Sequence, residues 1–557
     1  MSGLLLAALA TPALIALAWP WPSLRPIGLK LAPWAALPAA ALTLAHFMVT
    51  AAAPTLEIPT LFVGIRLGLD ETGSAFLLLT SLLWVIAGGF AAAYHREDPS
   101  RDSFFGFFVL TMTGSLGLVL AQDLVSFYLF FALMTFAAYG LVIHRRDQEA
   151  IRAGRVYLVL AIPGELALMA GVLAFGTAAG WEVAFGVETE AFWAGALSGE
   201  LTSTFPGPFA SPEFLAGLLV AGFAVKAGLA PLHVWLPLAH PVAPTAASAL
   251  LSGALIKAGL LGWIRVLPTE VAIPSVGAGL VALGALTAIY AVVVGLAQDE
   301  AKTILAYSSV SQMGYMAVGT GVLVLEPSLA PLALPAVTIY ALHHGLAKGA
   351  LFLTVGVADR FLTSGPTATL GRWLILICAL LPALALGGAP LTSGLFAKTV
   401  LVDAATRLDA AWMSSAGSLF FVAATGTVLL MVRFLERLAR RMHDAPAPVH
   451  PGDRSLGVTV PWALLLIAVA AAPFWVVRAV RIPVEVSTPA FHYAPSSALL
   501  PLLLGVGIGA WIHFRPAVLG RAKGIRVPAG DVLVPVERAV VRRLESLRDL
   551  TGSTSDR

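Results

Sequence analysis

The stretch FAVKAGLAPLHVWLP, residues 223–237, places a lysine inside an apolar run that prolines and a histidine then interrupt. The run is apolar enough for a membrane-spanning helix, and Lys226 lies within it. An ionised side chain at the centre of such a helix costs roughly 2.5–3.5 kcal/mol on insertion scales. Pro231 and Pro237 end or kink a helix. The stretch therefore predicts a membrane helix that breaks beside a charge.

The composition of the whole chain indicates an integral membrane protein. Of its 557 residues 58% are hydrophobic and 12% are charged, and the mean hydropathy is +0.88. Basic residues are dispersed between apolar blocks, which argues against nucleic-acid binding. The single cysteine, Cys378, excludes an intrachain disulfide, a tetrathiolate zinc site and a cysteine-ligated iron–sulfur cluster. We expect no metal, no cofactor and no catalytic centre in this chain, so any redox centre would lie in a partner.

Apolar stretches of about 20 residues predict roughly fifteen membrane spans. The N-terminal stretch is interpreted as a retained first span because no basic flank precedes it. In the polar tail, LVPVERAVVRRLESLRDL (533–550) has the spacing of an amphipathic surface helix. The predicted spans begin near residues 3, 30, 71, 103, 123, 155, 214, 245, 272, 303, 332, 371, 412, 457 and 495.

The distribution of basic residues predicts the topology, because Lys and Arg collect in cytoplasmic loops. With the N-terminus outside and the C-terminus cytoplasmic, the predicted inside segments hold 25 of the 34 Lys and Arg residues by our count, and the outside loops hold five. We expect the inner membrane of a prokaryote. The remaining four are lysines placed within spans. They are Lys226, Lys257, Lys348 and Lys398.

Four unrelieved lysines would cost on the order of 10 kcal/mol. A carboxylate partner, water in a polar cavity or loss of the proton would relieve that cost. Glu165 is the carboxylate that we place well inside a span. His344 and Lys348 are four residues apart, hence on one helix face, where a single water could pass a proton between them. Snorkelling lysines and histidines that only pack remain the alternatives.

Proline and glycine interrupt two spans, near 229–233 and 388–394. Backbone freed inside a bilayer must face protein or a water-filled cavity, so each break predicts a hydrated pocket. One interrupted span in each half of a chain is typical of transporters built from structural repeats.

Three segments resemble the antiporter-like subunits shared by respiratory complex I, membrane-bound hydrogenases and Mrp-type cation/proton antiporters. They are KAGLAPLHVWLPLAHPVAPTAASALLSGALIKAGL (226–260), AQDEAKTILAYSSVSQMGYM (297–316) and HHGLAKGALFL (343–353). The resemblance covers about residues 60–440 and is nearest in wording to the hydrogenase and Mrp branches.

The resemblance implies an all-α polytopic membrane protein of about 14–15 helices, with two inverted five-helix repeats that each contain a broken helix. It implies other membrane subunits and the lipid bilayer as partners, and we also consider a soluble redox or inorganic-carbon-uptake partner at the cytoplasmic face. The predicted units are 1–102, N-terminal helices; 103–270 and 271–440, two half-channels; 441–515, C-terminal helices; and 516–557, the polar tail.

The resemblance further implies a proton pathway across the membrane midplane. In such subunits a glutamate on the fifth helix pairs with the broken-helix lysine, whereas the matching position here is Ala132. Our hypothesis is that Glu165 takes its place. The predicted pathway comprises Glu165, Lys226, His233, Lys257, His343, His344, Lys348 and Lys398.

We therefore predict a subunit that moves protons within a larger complex, with exchange against sodium left open. In one alternative the chain belongs to a redox enzyme whose catalysis resides in partner subunits. In another it is a membrane anchor or coupling subunit with little transport of its own.

Overall fold

The computed structural model describes residues 1–48, 54–58, 64–181, 183–200, 207–360, 366–408, 416–444, 456–480, 495–514, 527–531 and 533. The amphipathic helix predicted at 533–550 falls outside these residues, apart from Leu533.

Among the described residues up to Ala227, helices joined by loops are interrupted by one β-hairpin. Strands β1, Thr55–Ile58, and β2, Ile65–Gly68, pair antiparallel with Thr55 opposite Gly68. The helices are α1 Ser2–Ala18, α2 Arg25–Leu31, α3 Leu37–Met48, α4 Glu71–Tyr94, α5 Arg101–Leu120, α6 Leu124–Val142, α7 Gln148–Ala179, α8 Val187–Leu197 and α9 Pro212–Ala227.

Among the described residues, the second part contains eleven α-helices, one 3-10 turn, Pro327–Leu329, and one π-helical turn, Leu251–Leu255. The helices are α10 Trp235–Val242, α11 Thr245–Leu250, α12 Lys257–Val266, α13 Pro274–Leu296, α14 Ala301–Leu325, α15 Ala330–Arg360, α16 Pro366–Gly387, α17 Ser393–Thr406, α18 Ala416–Asp444, α19 Leu456–Ala479 and α20 Pro495–Phe514.

The helices begin close to the predicted span starts, and eleven spans among the described residues are long and apolar enough to cross a membrane. This confirms an all-α polytopic membrane protein. Helix α14 has 25 residues but is too polar to be one of these eleven spans. Ser308, Ser309 and Gln312 lie on it and are fully buried. Because α14 is surrounded by protein, its polar side chains need not face lipid.

Carboxylate side chains cap several of these helices. Asp70, Asp123 and Asp147 each accept a hydrogen bond from a backbone amide in the first turn of α4, α6 and α7 respectively. Glu300 does the same for α14. Such caps satisfy amides that a helix leaves unpaired and fix where each span begins.

Both predicted helix breaks lie where glycine and proline indicated. Helix α9 ends at Ala227, and Gly228 adopts φ 74° before the chain resumes as α10. Helix α16 ends at Gly387, and Gly388 adopts φ 80° before α17. Only glycine adopts such angles without steric cost. Helix α15 packs against α14, α16, α17 and α19, which places its histidines beside the second break.

Candidate functional site

All eight side chains of the predicted pathway are buried. Charged and polar groups removed from water must find partners within the protein or in trapped water. The exposed fractions are Glu165 5%, Lys226 3%, His233 0%, Lys257 1%, His343 1%, His344 0%, Lys348 0% and Lys398 8%.

Lys226 lies in the last turn of α9, at the first break, and has aromatic and hydroxyl partners. Its Nζ donates to the hydroxyl of Tyr157 at 2.9 Å, and that hydroxyl donates to the carbonyl of Thr135 at 2.7 Å. The Nζ also lies 5.3 Å from the ring centroid of Tyr157 and 5.9 Å from that of Trp235. These contacts hold an ammonium group at a helix C-terminus, which itself favours positive charge.

Glu165 and Lys226 line one small cavity between α7 and α9. Its volume is about 10 Å³, about the space that one water needs. Neither carboxylate oxygen of Glu165 has a hydrogen-bond partner within the described part of the chain. Ala132 is absent from the cavity lining and is partly buried. The carboxylate that shares a cavity with Lys226 is thus Glu165.

Lys257 and His344 are in direct contact, although they come from different helices. The Nζ of Lys257 lies 2.6 Å from Nδ1 of His344 and donates to the carbonyl of Ser252 at 2.5 Å. Ser252 belongs to the π-helical turn that precedes α12. Such turns are frequent at functional sites because they disturb the regular hydrogen-bond ladder.

Lys348 has a different partner from the one that its spacing predicts. Its Nζ donates to the carbonyl of Leu305 on α14 at 2.9 Å, whereas Nδ1 of His344 is turned toward Lys257. The two side chains share a helix face, as predicted, but each makes its described hydrogen bond to another helix. Helix α15 therefore links α12 and α14.

At the second break, His343 on α15 lies beside the start of α17, and Lys398 is part of α17. Nδ1 of His343 lies 2.9 Å from the hydroxyl of Ser393, at the start of that helix. The Nζ of Lys398 lies 5.8 Å from the ring centroid of Tyr315 and has no hydrogen-bond partner among the described residues. An ammonium group can donate three hydrogen bonds, and the hydrated pocket expected at this break remains a prediction.

His233 contacts a carboxylate that the sequence did not indicate. Its Nε2 lies 2.8 Å from Oδ2 of Asp531, in the C-terminal segment. Tyr157, Ser393 and Tyr315 were also missed as partners. Their local sequence has no distinguishing signal, since what places them is helix packing across long separations along the chain.

Comparison with known proteins identifies the family. Residues 121–423, more than half of the chain, match the family described as NADH:quinone oxidoreductase/Mrp antiporter, transmembrane. Hydrogenase-4 component B of Escherichia coli strain K12 is 30% identical over 433 residues, covering 74% of this chain and 62% of the relative. A Na⁺/H⁺ antiporter subunit of Alkalihalophilus pseudofirmus is 28% identical over 356 residues, covering 61% and 67% respectively.

Solved structures share the fold. The Mrp complex from Dietzia sp. DQ12-45-1b superposes with a TM-score of 0.76 at 23% identity, covering 99% of this chain and 60% of the matched chain. The membrane-bound sulfane sulfur reductase, an archaeal respiratory membrane complex, superposes with a TM-score of 0.68 at 23% identity over 86% of this chain. The chain thus spans about three fifths of the length of the Mrp chain and of the hydrogenase component. It belongs to the NADH:quinone oxidoreductase/Mrp antiporter family, as an antiporter-like, multi-pass membrane subunit.

Proposed function

We propose that this subunit moves protons across the membrane along Glu165, Lys226, Lys257, His344 and Lys398. The supporting residues are His233, His343 and Lys348. The division into two half-channels, 103–270 and 271–440, remains a prediction.

The contact between Lys257 and His344 carries the proposal. The Nζ of Lys257 and Nδ1 of His344 share one hydrogen-bonding proton across 2.6 Å, and both groups are fully enclosed. The same proton can reside on either nitrogen, and neither group has a carboxylate within 4 Å in the described part of the chain to fix its charge. Two proton-accepting nitrogens in direct contact are the arrangement that proton transfer requires.

At the first break Glu165 is the proposed charge partner of Lys226. A carboxylate next to an ammonium group stabilises its charged form, and loss of that partner favours release of the proton. The shared cavity supports this role, and so does the absence of Ala132 from its lining.

Protons fit the cavity better than sodium does. A space of about 10 Å³ admits about one water, whereas a hydrated cation carries several. Exchange of protons against sodium would therefore need a separate route for the sodium ion.

We further propose that the subunit works inside a larger membrane complex of a prokaryotic inner membrane, with its N-terminus outside and its C-terminus cytoplasmic. The two solved relatives are multi-subunit membrane complexes. Contacts with other membrane subunits are thus expected, and a soluble redox or carbon-uptake partner would bind at the cytoplasmic face.

The test is proton flux in proteoliposomes that contain the purified subunit with its partners, under an imposed pH gradient. Glu165→Gln removes the charge and keeps the shape, and we expect flux to fall by about tenfold or more. The double variant Ala132→Glu, Glu165→Gln moves the carboxylate to the fifth-helix position and should restore part of the flux. Unchanged flux in both Lys226→Ala and Lys398→Ala would contradict the proposal and favour the membrane-anchor alternative.

A further inference from the structure

The C-terminal segment 527–531 packs beneath the first helix break, against α14 and the loop before it. The carbonyl of Val527 accepts a hydrogen bond from Nε2 of Gln298 at 3.1 Å, and the carbonyl of Ala529 accepts one from the Tyr307 hydroxyl at 2.9 Å. Within the segment, the amide of Asp531 donates to the carbonyl of Pro528 at 2.8 Å. The segment is therefore held by its backbone, which leaves the Asp531 side chain available for other contacts.

The carboxylate of Asp531 points into the protein. Its Oδ2 lies 2.8 Å from Nε2 of His233 and 2.8 Å from the Tyr307 hydroxyl. The Asp531 side chain is 3% exposed and that of His233 is 0% exposed. Asp531 also adopts φ 29°, an angle that a residue with a side chain seldom takes. The chain thus accepts a backbone cost at the position that delivers this carboxylate.

His233 is distinguished from the rest of the predicted pathway by this contact. The described partners of Lys226, Lys257, Lys348 and His343 are hydroxyls, carbonyls or another histidine. Among the described residues, His233 alone in the pathway has a carboxylate within 4 Å.

The hydrogen-bond geometry accommodates both protonation states of Asp531. The Tyr307 hydroxyl has one hydrogen and two acceptors in range, the Ala529 carbonyl at 2.9 Å and the Asp531 carboxylate at 2.8 Å. When Asp531 is ionised, it accepts from Tyr307 and from His233. When Asp531 is protonated, it can donate to the Tyr307 oxygen while Tyr307 donates to Ala529. Rotation of one hydroxyl therefore satisfies either state.

We propose that Asp531 is a proton-exchange residue of the pathway, supplied by the C-terminal segment to His233 at the first break. The step moves one proton from Nε2 of the His233 imidazolium to Oδ2 of Asp531, which leaves a neutral imidazole and a carboxylic acid, and it reverses when the proton returns. Nδ1 of His233 is buried without a partner in the described part of the chain, and in the neutral tautomer that carries its hydrogen on Nε2 it takes up the incoming proton that forms this imidazolium. This inference rests on the proposed transport function.

Two substitutions distinguish a proton carrier from a structural link. Asp531→Asn keeps an acceptor oxygen for His233 and Tyr307 but cannot hold an exchangeable proton, whereas Asp531→Glu can. Asp299→Asn is the matched control, because it removes one carboxylate whose side chain is 75% exposed and pairs with Arg433. We expect Asp531→Asn to lower flux in proteoliposomes of the complex by about tenfold or more, Asp531→Glu to retain most of it, and Asp299→Asn to leave it unchanged.

Placement of the segment is followed in parallel by labelling Ala529→Cys with a maleimide in a Cys378→Ser background. Equal labelling in the presence and absence of Asp531→Asn would show that the segment stays in place. Loss of flux without increased labelling supports the inference. Flux that is unchanged or raised in Asp531→Asn would overturn it, since the carboxylate would then be a structural link or a block. Loss of flux together with strong labelling would also overturn it in favour of a positioning role.

An infrared measurement separates failure of this inference from failure of the proposed function. The other titratable groups that face this carboxylate are His233 at the break, Tyr290 on α13 and Tyr307 on α14. In a Glu165→Gln background, which removes the other buried carboxyl group of the pathway, a pH-difference spectrum should contain the carbonyl band of a buried carboxylic acid, and that band should vanish when Asp531→Asn is added. A band that persists in Asp531→Asn overturns the inference whatever the flux. If the wild-type complex shows no flux, but its carbonyl band vanishes in Asp531→Asn, the proposed transport function is contradicted. Asp531 would still be the group that binds the proton.

Discussion

The two helix breaks differ in where each lysine lies and in what surrounds it. Lys226 precedes the first break, in the last turn of α9, whereas Lys398 follows the second break, in the second turn of α17. The C-terminal end of a helix favours a positive charge, and its N-terminal end does not. Lys226 also has the Tyr157 hydroxyl as a hydrogen-bond partner, but Lys398 has only the ring of Tyr315 among the described residues.

The described residues thus supply a hydrogen-bond acceptor to the first lysine and only an aromatic ring to the second. At the first break a substitution should act through identifiable side chains. At the second break a substitution should act by changing the room that the Lys398 side chain has. Substitutions at the two breaks can therefore test each side of this comparison, in order of decreasing effect.

Arginine in place of either lysine is expected to have the largest effect. Arginine keeps the positive charge but does not release its proton at accessible pH. We expect Lys398→Arg to lower flux by about a hundredfold, with a smaller loss in Lys226→Arg. Initial rates of pH change in proteoliposomes measure both, and Lys30→Arg outside the pathway is the control. Flux near the wild-type rate in Lys398→Arg would refute the requirement for deprotonation at the second break.

Alanine in place of the break glycines separates backbone strain from displacement of a lysine. Both Gly228 and Gly388 have positive φ, so each substitution should cost about 1–2 kcal/mol of stability. A Cβ atom on Gly388 would lie 3.1 Å from Cδ of Lys398, whereas on Gly228 its nearest contact is Leu236 at 3.8 Å.

Flux should therefore fall by about tenfold in Gly388→Ala, because the side chain of Lys398 is displaced from its place in the pathway, and by clearly less in Gly228→Ala. Thermal unfolding of the detergent-solubilised complex checks that the two variants lose similar stability. Equal losses of flux would indicate that strain alone matters.

Removal of one hydroxyl tests the partners of the first lysine. Tyr157→Phe deletes the acceptor of Lys226 but keeps the ring, which packs edge-on against Trp235 at 5.1 Å between centroids. An unpaired buried donor costs about 1–3 kcal/mol, and we expect a severalfold loss of flux. Tyr315→Phe keeps the ring face beneath Lys398 and should change flux little. A larger loss in Tyr315→Phe than in Tyr157→Phe would reverse the comparison.

The loop between α4 and α5, outside the membrane spans, provides a reference with a different response to pH. Oδ2 of Asp98 lies 2.7 Å from Nδ1 of His95 and 2.8 Å from Nε2 of His144. Burial lowers the pKa of His95 to about 4, against the opposing hydrogen bond to Asp98. Burial raises the pKa of Asp98, but the hydrogen bonds from His144 and His95 have the larger combined effect and lower this pKa to about 2.

The directions of these two pKa shifts predict the pH at which the contact between His95 and Asp98 weakens. His95 is kept neutral in the folded state, so its contribution to the stability of the fold is lost as pH falls from the ordinary histidine pKa of 6.5 toward about 4. The contribution of Asp98 is complete above its ordinary pKa of 3.8 and is lost only as pH falls toward about 2. Amide exchange of residues 95–101, corrected for intrinsic rates, should therefore increase between pH 6.5 and pH 4. Exchange protection that stays constant over that interval would contradict this assignment.

The elements that composition and periodicity determine could be predicted from the sequence. The span starts, both breaks and the four buried lysines follow from hydropathy and from local proline and glycine signals. The fifth-helix departure at Ala132 also pointed to Glu165, which does line the cavity with Lys226.

The partners of those lysines could not be predicted. Tyr157 and Lys226 are 69 residues apart, and Lys257 and His344 are 87 apart, so their contacts depend on how whole helices pack. The π-helical turn before Lys257 was missed because its residues, LSGAL, have ordinary helical composition. The hydrogen bond from Lys348 to the carbonyl of Leu305 was missed for a related reason. The spacing of residues along a helix shows which of them share a face, but it does not show which helix packs against that face.

The contact between His233 and Asp531 has a consequence for biogenesis. The two residues are 298 positions apart, so the first break is among the early membrane segments to be inserted, while its carboxylate is synthesised after the last described span. Closing so long a loop costs conformational entropy that only the finished helix bundle offsets. A nascent chain that has not yet delivered Asp531 thus leaves His233 without its carboxylate, and completion of this site should be a late step in assembly.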